Sequence, residues 1–136
     1  MFKKILIISI LYADIGLVGA VHKSERQSNN LPDDIVKAFT NSDSKGVGKF
    51  FNMTVELTFS ESQGVYGKAQ AEQILKTFFI NNASTNGRFN YKHLHGSDRD
   101  NVQYYIGELL TGKGLYRVTI HMKDQLIYRM RIESND

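Results

Sequence analysis

Residues 114–133 read GLYRVTIHMKDQLIYRMRIE. Every second residue of the first half is apolar: Tyr116, Val118, Ile120 and Met122. The second half repeats the pattern with Leu126, Tyr128, Met130 and Ile132. Between them stand Arg117, Thr119, His121, Arg129 and Arg131. A period of two marks a strand with one buried face and one wet face. Two such runs joined by a few polar residues make an antiparallel hairpin. A three-residue loop of Lys123, Asp124 and Gln125 pairs Met122 with Leu126, Ile120 with Tyr128, Val118 with Met130 and Tyr116 with Ile132, and keeps both apolar sets on one side. A two-residue loop would set Met122 opposite Ile127 and mix the faces. The three-residue register puts Arg117 across from Arg131 and Arg129 across from Thr119. Like charges so placed cost about a few tenths of a kcal/mol, which Glu133 or an external anion would have to offset.

Two more strand patterns precede the hairpin, RFNYKHLH (88–95) and VQYYIGELL (102–110), joined by the turn-rich GSDRD and TGKG. Joints this short exclude parallel crossovers, so the four strands form an antiparallel meander. Upstream, KAQAEQILKTFFIN (68–81) places Ala71, Ile74, Leu75 and Phe78 at helical spacing, with Phe79 widening the stripe. MTVELTF (53–59) alternates, with Met53, Val55, Leu57 and Phe59 on one side and Thr54, Glu56 and Thr58 on the other. ESQGVYG (61–67) reads as a turn and NNASTNG (81–87) as a loop. LPDDIVKAF (31–39) opens a helix: Pro32 suits its start, Asp33 and Asp34 complement its dipole, and Ile35, Val36 and Phe39 form its stripe. SKGVGKFF (44–51) is a second short helix capped by Ser42 or Asp43 and weakened by Gly46 and Gly48.

The 136 residues suit one domain with one core. Hydrophobic content is 41% and charged content 23%, both ordinary for a globular chain. The absence of Cys excludes disulfides, a thiolate nucleophile and a thiolate metal site. The formal charge of +3 is mild, and no run of adjacent Lys and Arg exists to suggest nucleic acid. MFKK followed by ILIISILYADIGLVGA reads as a signal peptide over residues 1–20, with Val18 and Ala20 at the cleavage site and Asp14 as an unfavourable intrusion. Without it, 15 basic and 13 acidic residues remain. The polar residues 21–31 read as a linker and 32–134 as the domain. The expected location is the periplasm or the medium, with no stable membrane insertion after processing.

VYGKAQAEQILKTFF (65–79), YYIGELLTGKGLYRV (104–118) and IYRMRIE (127–133) resemble a group of small exported Bacteroidetes proteins, a domain of unknown function on the nuclear-transport-factor-2-like fold. The resemblance covers roughly residues 32–134. It implies an α+β cone in which N-terminal helices pack on a curved antiparallel sheet and enclose a pocket, often in a homodimer made through the sheet. It implies no reaction, because this fold carries isomerases, dehydratases and plain binding modules.

Candidate site residues follow from chemistry. Glu108, if its side of the strand faces inward, is a carboxylate in an apolar pocket and a candidate general acid or base. A type II′ turn on Gly112-Lys113 would instead pair Leu109 with Tyr116 and put Glu108 outside. His93 is the other acid/base candidate. His93 and His95 form an H-x-H pair that Asp98 or Asp100 could complete into a metal site, although no third His is near in sequence, and no metal or other cofactor is expected. Tyr66, Tyr91, Tyr104, Tyr116 and Tyr128 are candidate pocket-lining residues, or ordinary core. Arg117, His121, Arg129 and Arg131 form either a wet or dimer-forming sheet face or a site for an anion or acidic partner. No Ser-His-Asp spacing, P-loop, G-x-G-x-x-G or H-E-x-x-H occurs. The sequence therefore favours a non-catalytic exported binding or interaction module over a small acid/base enzyme of isomerase or dehydratase type. Its partner would be a small molecule or an envelope protein, and not nucleic acid.

Overall fold

The computed structural model describes residues 29–60 and 62–135. The residues read as a signal peptide and most of those read as a linker lie outside the described residues. The chain runs α1 (Asp33–Thr40), α2 (Ser44–Gly48), β1 (Phe51–Phe59), β2 (Ser62–Gly67), α3 (Lys68–Asn81), β3 (Asn90–Arg99), β4 (Val102–Thr111), β5 (Gly114–Lys123) and β6 (Leu126–Ser134). The strands make one sheet in the order β2-β1-β6-β5-β4-β3. The expected meander is there, and β1 adds to it as a parallel neighbour of β6. That junction is reached through α3 and the whole meander. ESQGVYG is not merely a turn, because Ser62–Gly67 forms edge strand β2, antiparallel to β1. The helix read at 68–81 spans those residues.

The helices cover one face of the sheet, here called inner. Ile35, Phe39, Val47, Leu75 and Phe79 from the helices bury against Val55, Leu57, Leu109, Val118, Ile120, Met130 and Ile132. Phe39 anchors the layer, stacked on Tyr91 and edge-on to Phe79, which in turn meets Phe89 edge-on. α2 begins at Asp43, whose carboxylate accepts the Gly46 N–H at 2.9 Å. Gly96 on β3 is required by close approach: a Cβ there would sit 1.8 Å from the Asn29 carbonyl oxygen, where the N-terminal segment crosses the strand.

Irregular pairings decide which side chain faces where. The β5–β6 hairpin turns on two residues, Asp124 and Gln125, at φ 52° and 67°, the type I′ signature. Met122 does pair with Ile127, the arrangement rejected above because it mixes faces. A bulge repairs the mixing: Tyr128 is the extra residue, after which His121 faces Arg129, Thr119 faces Arg131 and Arg117 faces Glu133. The expected Arg117–Arg131 clash is therefore absent. A second bulge at Leu94 pairs His93 with Gly107 but His95 with Ile106. Between Phe51 and Glu56, β1 pulls away from β6, leaving Met53 83% exposed rather than buried with Val55 and Leu57. GSDRD is not a turn: β3 continues to Arg99, and Asp100-Asn101 turn the chain at φ 52° and 69°.

Candidate functional site

The candidate residues divide between the two faces of the sheet. Tyr105 and Gly107 are buried on the inner face of β4, so Tyr104, Ile106 and Glu108 project outward. The β4–β5 joint does pair Leu109 with Tyr116. It does so without a type II′ turn, since the positive φ, 139°, falls on Gly114 and not on Gly112. Glu108 is thus an outer-face residue, and its carboxylate accepts from Asn135 Nδ2 at 3.1 Å. His93, opposite Gly107, is on the inner face, with its Nδ1 buried and unpartnered among the described residues. The two acid/base candidates stand on opposite faces of one sheet. The bulge at Leu94 likewise sends His93 and His95 to opposite faces, which disallows an H-x-H metal pair; no group of three potential metal ligands occurs among the described residues.

The five tyrosines also split. Tyr66, Tyr91 and Tyr116 lie inward and pack against the core. Burial pushes the Tyr91 hydroxyl pKa up to about 12, and that hydroxyl has no hydrogen-bond partner among the described residues. Tyr116 is held by Phe78, edge-on at 5.0 Å, and donates to Asn82 Oδ1 at 2.8 Å. Tyr104 and Tyr128 do not point into the cone. They flank His121 on the outer face, with ring centroids at 4.7 and 5.9 Å. Tyr128 is there because it is the bulged residue, and Tyr104 because its neighbour Tyr105 takes the inner side.

Two depressions bear on binding. On the helix side, a cleft of about 700 Å³ opens at the sheet's end, where Leu31, Pro32, Phe50, Tyr105 and Met122 form its apolar wall and Asp98 and Gln103 stand among its polar groups. None of the five candidate tyrosines lines it. Tyr105 does, and its hydroxyl pKa is raised by burial and by nearby Asp98. Sequence reading passed over Tyr105, since both tyrosines of the YY pair fit an apolar face.

On the outer face, a groove of about 450 Å³ brings together all four basic-face candidates, Arg117, His121, Arg129 and Arg131, with Tyr104 and Glu56 beside them. Adjacent strands place them: Arg129 lies between His121 on β5 and Glu56 on β1, and Arg131 between Thr119 and Thr58. Arg129 Nε donates to Glu56 Oε1 at 2.8 Å. That bond holds the Glu56 carboxyl below the usual carboxylate range, with Arg131 adding to the effect. Among the described residues, Arg117 and Arg131 have no carboxylate within salt-bridge distance. His121 is kept from protonating first by burial, then by Arg129 and Arg131, while Glu56 pulls the other way. Its Nδ1 is buried and has no partner among the described residues. Glu56 was legible only as the polar side of a strand; its role depends on the parallel β1–β6 pairing, which joins residues 73 apart.

A family model described as "Domain of unknown function (DUF4783)" matches residues 32–134. No curated protein matches the chain. Among solved structures, the chain is similar to a DUF4783 family protein from Bacteroides ovatus, at 26% identity and a TM-score of 0.70 over 80% of this chain and 99% of that one. It is also similar to a DUF4783 family protein from Bacteroides uniformis, at 28% identity and 0.69 over 79% and 99%. An NTF2-like protein of unknown function from Cytophaga hutchinsonii, at 12% identity, shares the fold with a TM-score of 0.56 over 83% of this chain and 94% of that one. The architecture is thus nuclear-transport-factor-2-like.

Proposed function

The chain belongs to the DUF4783 family, and from that premise we propose that it is an exported, non-catalytic interaction module whose outer sheet face binds anionic groups of a partner in the cell envelope. One observation carries this reading: among the described residues, Arg117 and Arg131 line a groove with no carboxylate within salt-bridge distance, although acidic residues line the same groove. Guanidinium groups left free in a concave site are suited to bidentate recognition of carboxylates and similar anions. Glu108 lies on the outer face, which removes one of the two residues that an acid/base enzyme could have used in the cone. Export rests on the N-terminal sequence alone; no helix among the described residues is long and apolar enough to cross a membrane. The test is fluorescence anisotropy with labelled polyglutamate. Arg117→Gln with Arg131→Gln should weaken binding about ten-fold or more, and equal binding by the variant would refute the assignment.

A second reading, self-association through the same face, is favoured by one row of residues. Lys92, Glu108, Arg117 and Glu133 are cross-strand neighbours on β3, β4, β5 and β6, so their charges alternate across the sheet. Turned about a twofold axis between β4 and β5, the row meets its own complement: Lys92 faces Glu133 and Glu108 faces Arg117. Sedimentation analysis decides it. Glu108→Arg should dissociate the dimer, and Glu108→Arg with Arg117→Glu should restore it. A monomeric wild type sinks this reading alone.

A further inference from the structure

His121 sits in the outer groove as a histidine with cations beside it. From β6 it meets Arg129 directly opposite and Arg131 two residues on, with Tyr128 at its ring and Glu133 at the far end of the groove. From β4 comes Tyr104, from β1 Glu56, and from its own strand Arg117 and, beyond the groove, Lys123. Glu56 is committed to Arg129. The ring is wedged between two tyrosines, with Nδ1 buried and unpartnered among the described residues. A proton on this ring would join Arg129 and Arg131 in a half-buried site and raise like-charge repulsion. An anion in the groove reverses that balance, because it attracts the proton as well as the guanidiniums.

Resting on the reading of this face as anion-binding, we infer that the groove takes up an oxyanion together with one proton on His121, so that binding tightens as the pH falls. The sign follows from linkage. The free protein carries a neutral His121 through most of the neutral range, since the pKa is lowered from its ordinary value of about 6.5. The bound anion raises that pKa. Between the bound and free values, binding draws a proton from solution and affinity climbs as the pH falls. Below the free value the gain is complete. Each unit by which the anion raises the pKa gives about a ten-fold gain in affinity.

The probe is sulfate, which does not titrate between pH 5.5 and 8, followed by calorimetry and by the NMR titration of the His121 ring in the intact chain. The expected result is a dissociation constant that falls several-fold from about pH 8 to about pH 5.5, with a His121 pKa that rises on adding sulfate. His121→Gln should lose the low-pH gain. Arg131→Gln should weaken binding at both pH values. The ring titration of the wild type is independent of whether a variant folds. Binding that needs Arg131 but is flat with pH, or a gain that persists in His121→Gln, overturns the proton linkage while leaving the anion face standing. Sulfate binding at neither pH, with polyglutamate binding also absent, overturns both. Polyglutamate separates the sources: a low-pH gain with sulfate alone assigns the site to a free anion, and a gain with both assigns it to carboxylates on a partner as well.

Discussion

One set of strands builds both faces of the sheet, yet a side chain is held differently on each. On the inner face Val55, Ile120, Met130 and Ile132 are fully buried, and the aromatic rings of α1, α3 and β3 close over them. On the outer face Arg117, Arg129 and Arg131 are exposed, and among the described residues a single ion pair ties one of them down. Hydrophobic burial is the main stabilising term, whereas exposed ion pairs contribute about 0–1 kcal/mol. Stability therefore resides on one face, and the other is free to be shaped by what it binds. The largest expected effect tests this directly. Phe39→Ala, which removes a fully buried ring from three-element packing, should cost about 3–5 kcal/mol. Arg117→Gln with Arg131→Gln should stay within about 1 kcal/mol of wild type in urea denaturation. A loss above about 2 kcal/mol in the arginine variant would break the comparison and make the outer face structural.

Next in size is a position where the inner layer touches a loop. Gly112 donates its N–H to the Asn82 carbonyl at 2.8 Å, and a Cβ there would lie 2.0 Å from the Ala83 oxygen. Backbone must move to accept it, so Gly112→Ala should cost about 1–3 kcal/mol by thermal or urea unfolding. An unchanged midpoint would show that the loop after α3 is not fixed against β4.

How far the faces were legible depends on regularity. The helix at 68–81 and the antiparallel meander follow from period and joint length, and the structure has them. Side assignments fail where a pairing slips. One extra residue at Leu94 parts His93 from His95. One at Tyr128 turns that ring from the cone to the groove and cancels the arginine clash. Local sequence does not mark such bulges, because a bulge answers to both strands at once. β2 escaped notice because Gly64 and Gly67 interrupt any alternation. The basic residues nonetheless converge, as the Tyr128 bulge returns Arg129 and Arg131 to the face of Arg117 and His121, where a three-residue loop would also have put them.

Two inner-face hydroxyls sharpen the comparison at about 1 kcal/mol, with opposite signs. Tyr116 donates to Asn82, so Tyr116→Phe removes a bond and strands a buried acceptor, a loss of about 1 kcal/mol or more. The Tyr91 hydroxyl is buried with no partner among the described residues, so Tyr91→Phe should be neutral or stabilising by up to about 1 kcal/mol. Two losses of equal size in chemical denaturation would mean that Tyr91 is satisfied after all and that the inner face holds a hidden polar contact.

The smallest effect belongs to His121 and is read without any anion. Its folded-state pKa is lowered, so between the unfolded value of about 6.5 and the folded value the unfolded chain binds the proton more readily. Stability should then fall as the pH drops through that window, and level off once both states are protonated. The side chain is partly exposed and screened, so the loss is a few tenths of a kcal/mol. Glu56 loses its contribution only at lower pH, since its folded pKa is depressed and the contribution survives until the pH falls through the carboxylate range. The two windows are separable, and His121→Gln should flatten only the upper one in chloride-free, low-salt buffer. Adding sulfate should flatten the slope in that window, because the anion raises the folded-state pKa towards the unfolded value and beyond. A His121→Gln variant with the wild-type slope would place the titration elsewhere and leave the outer face without a pH-sensitive element.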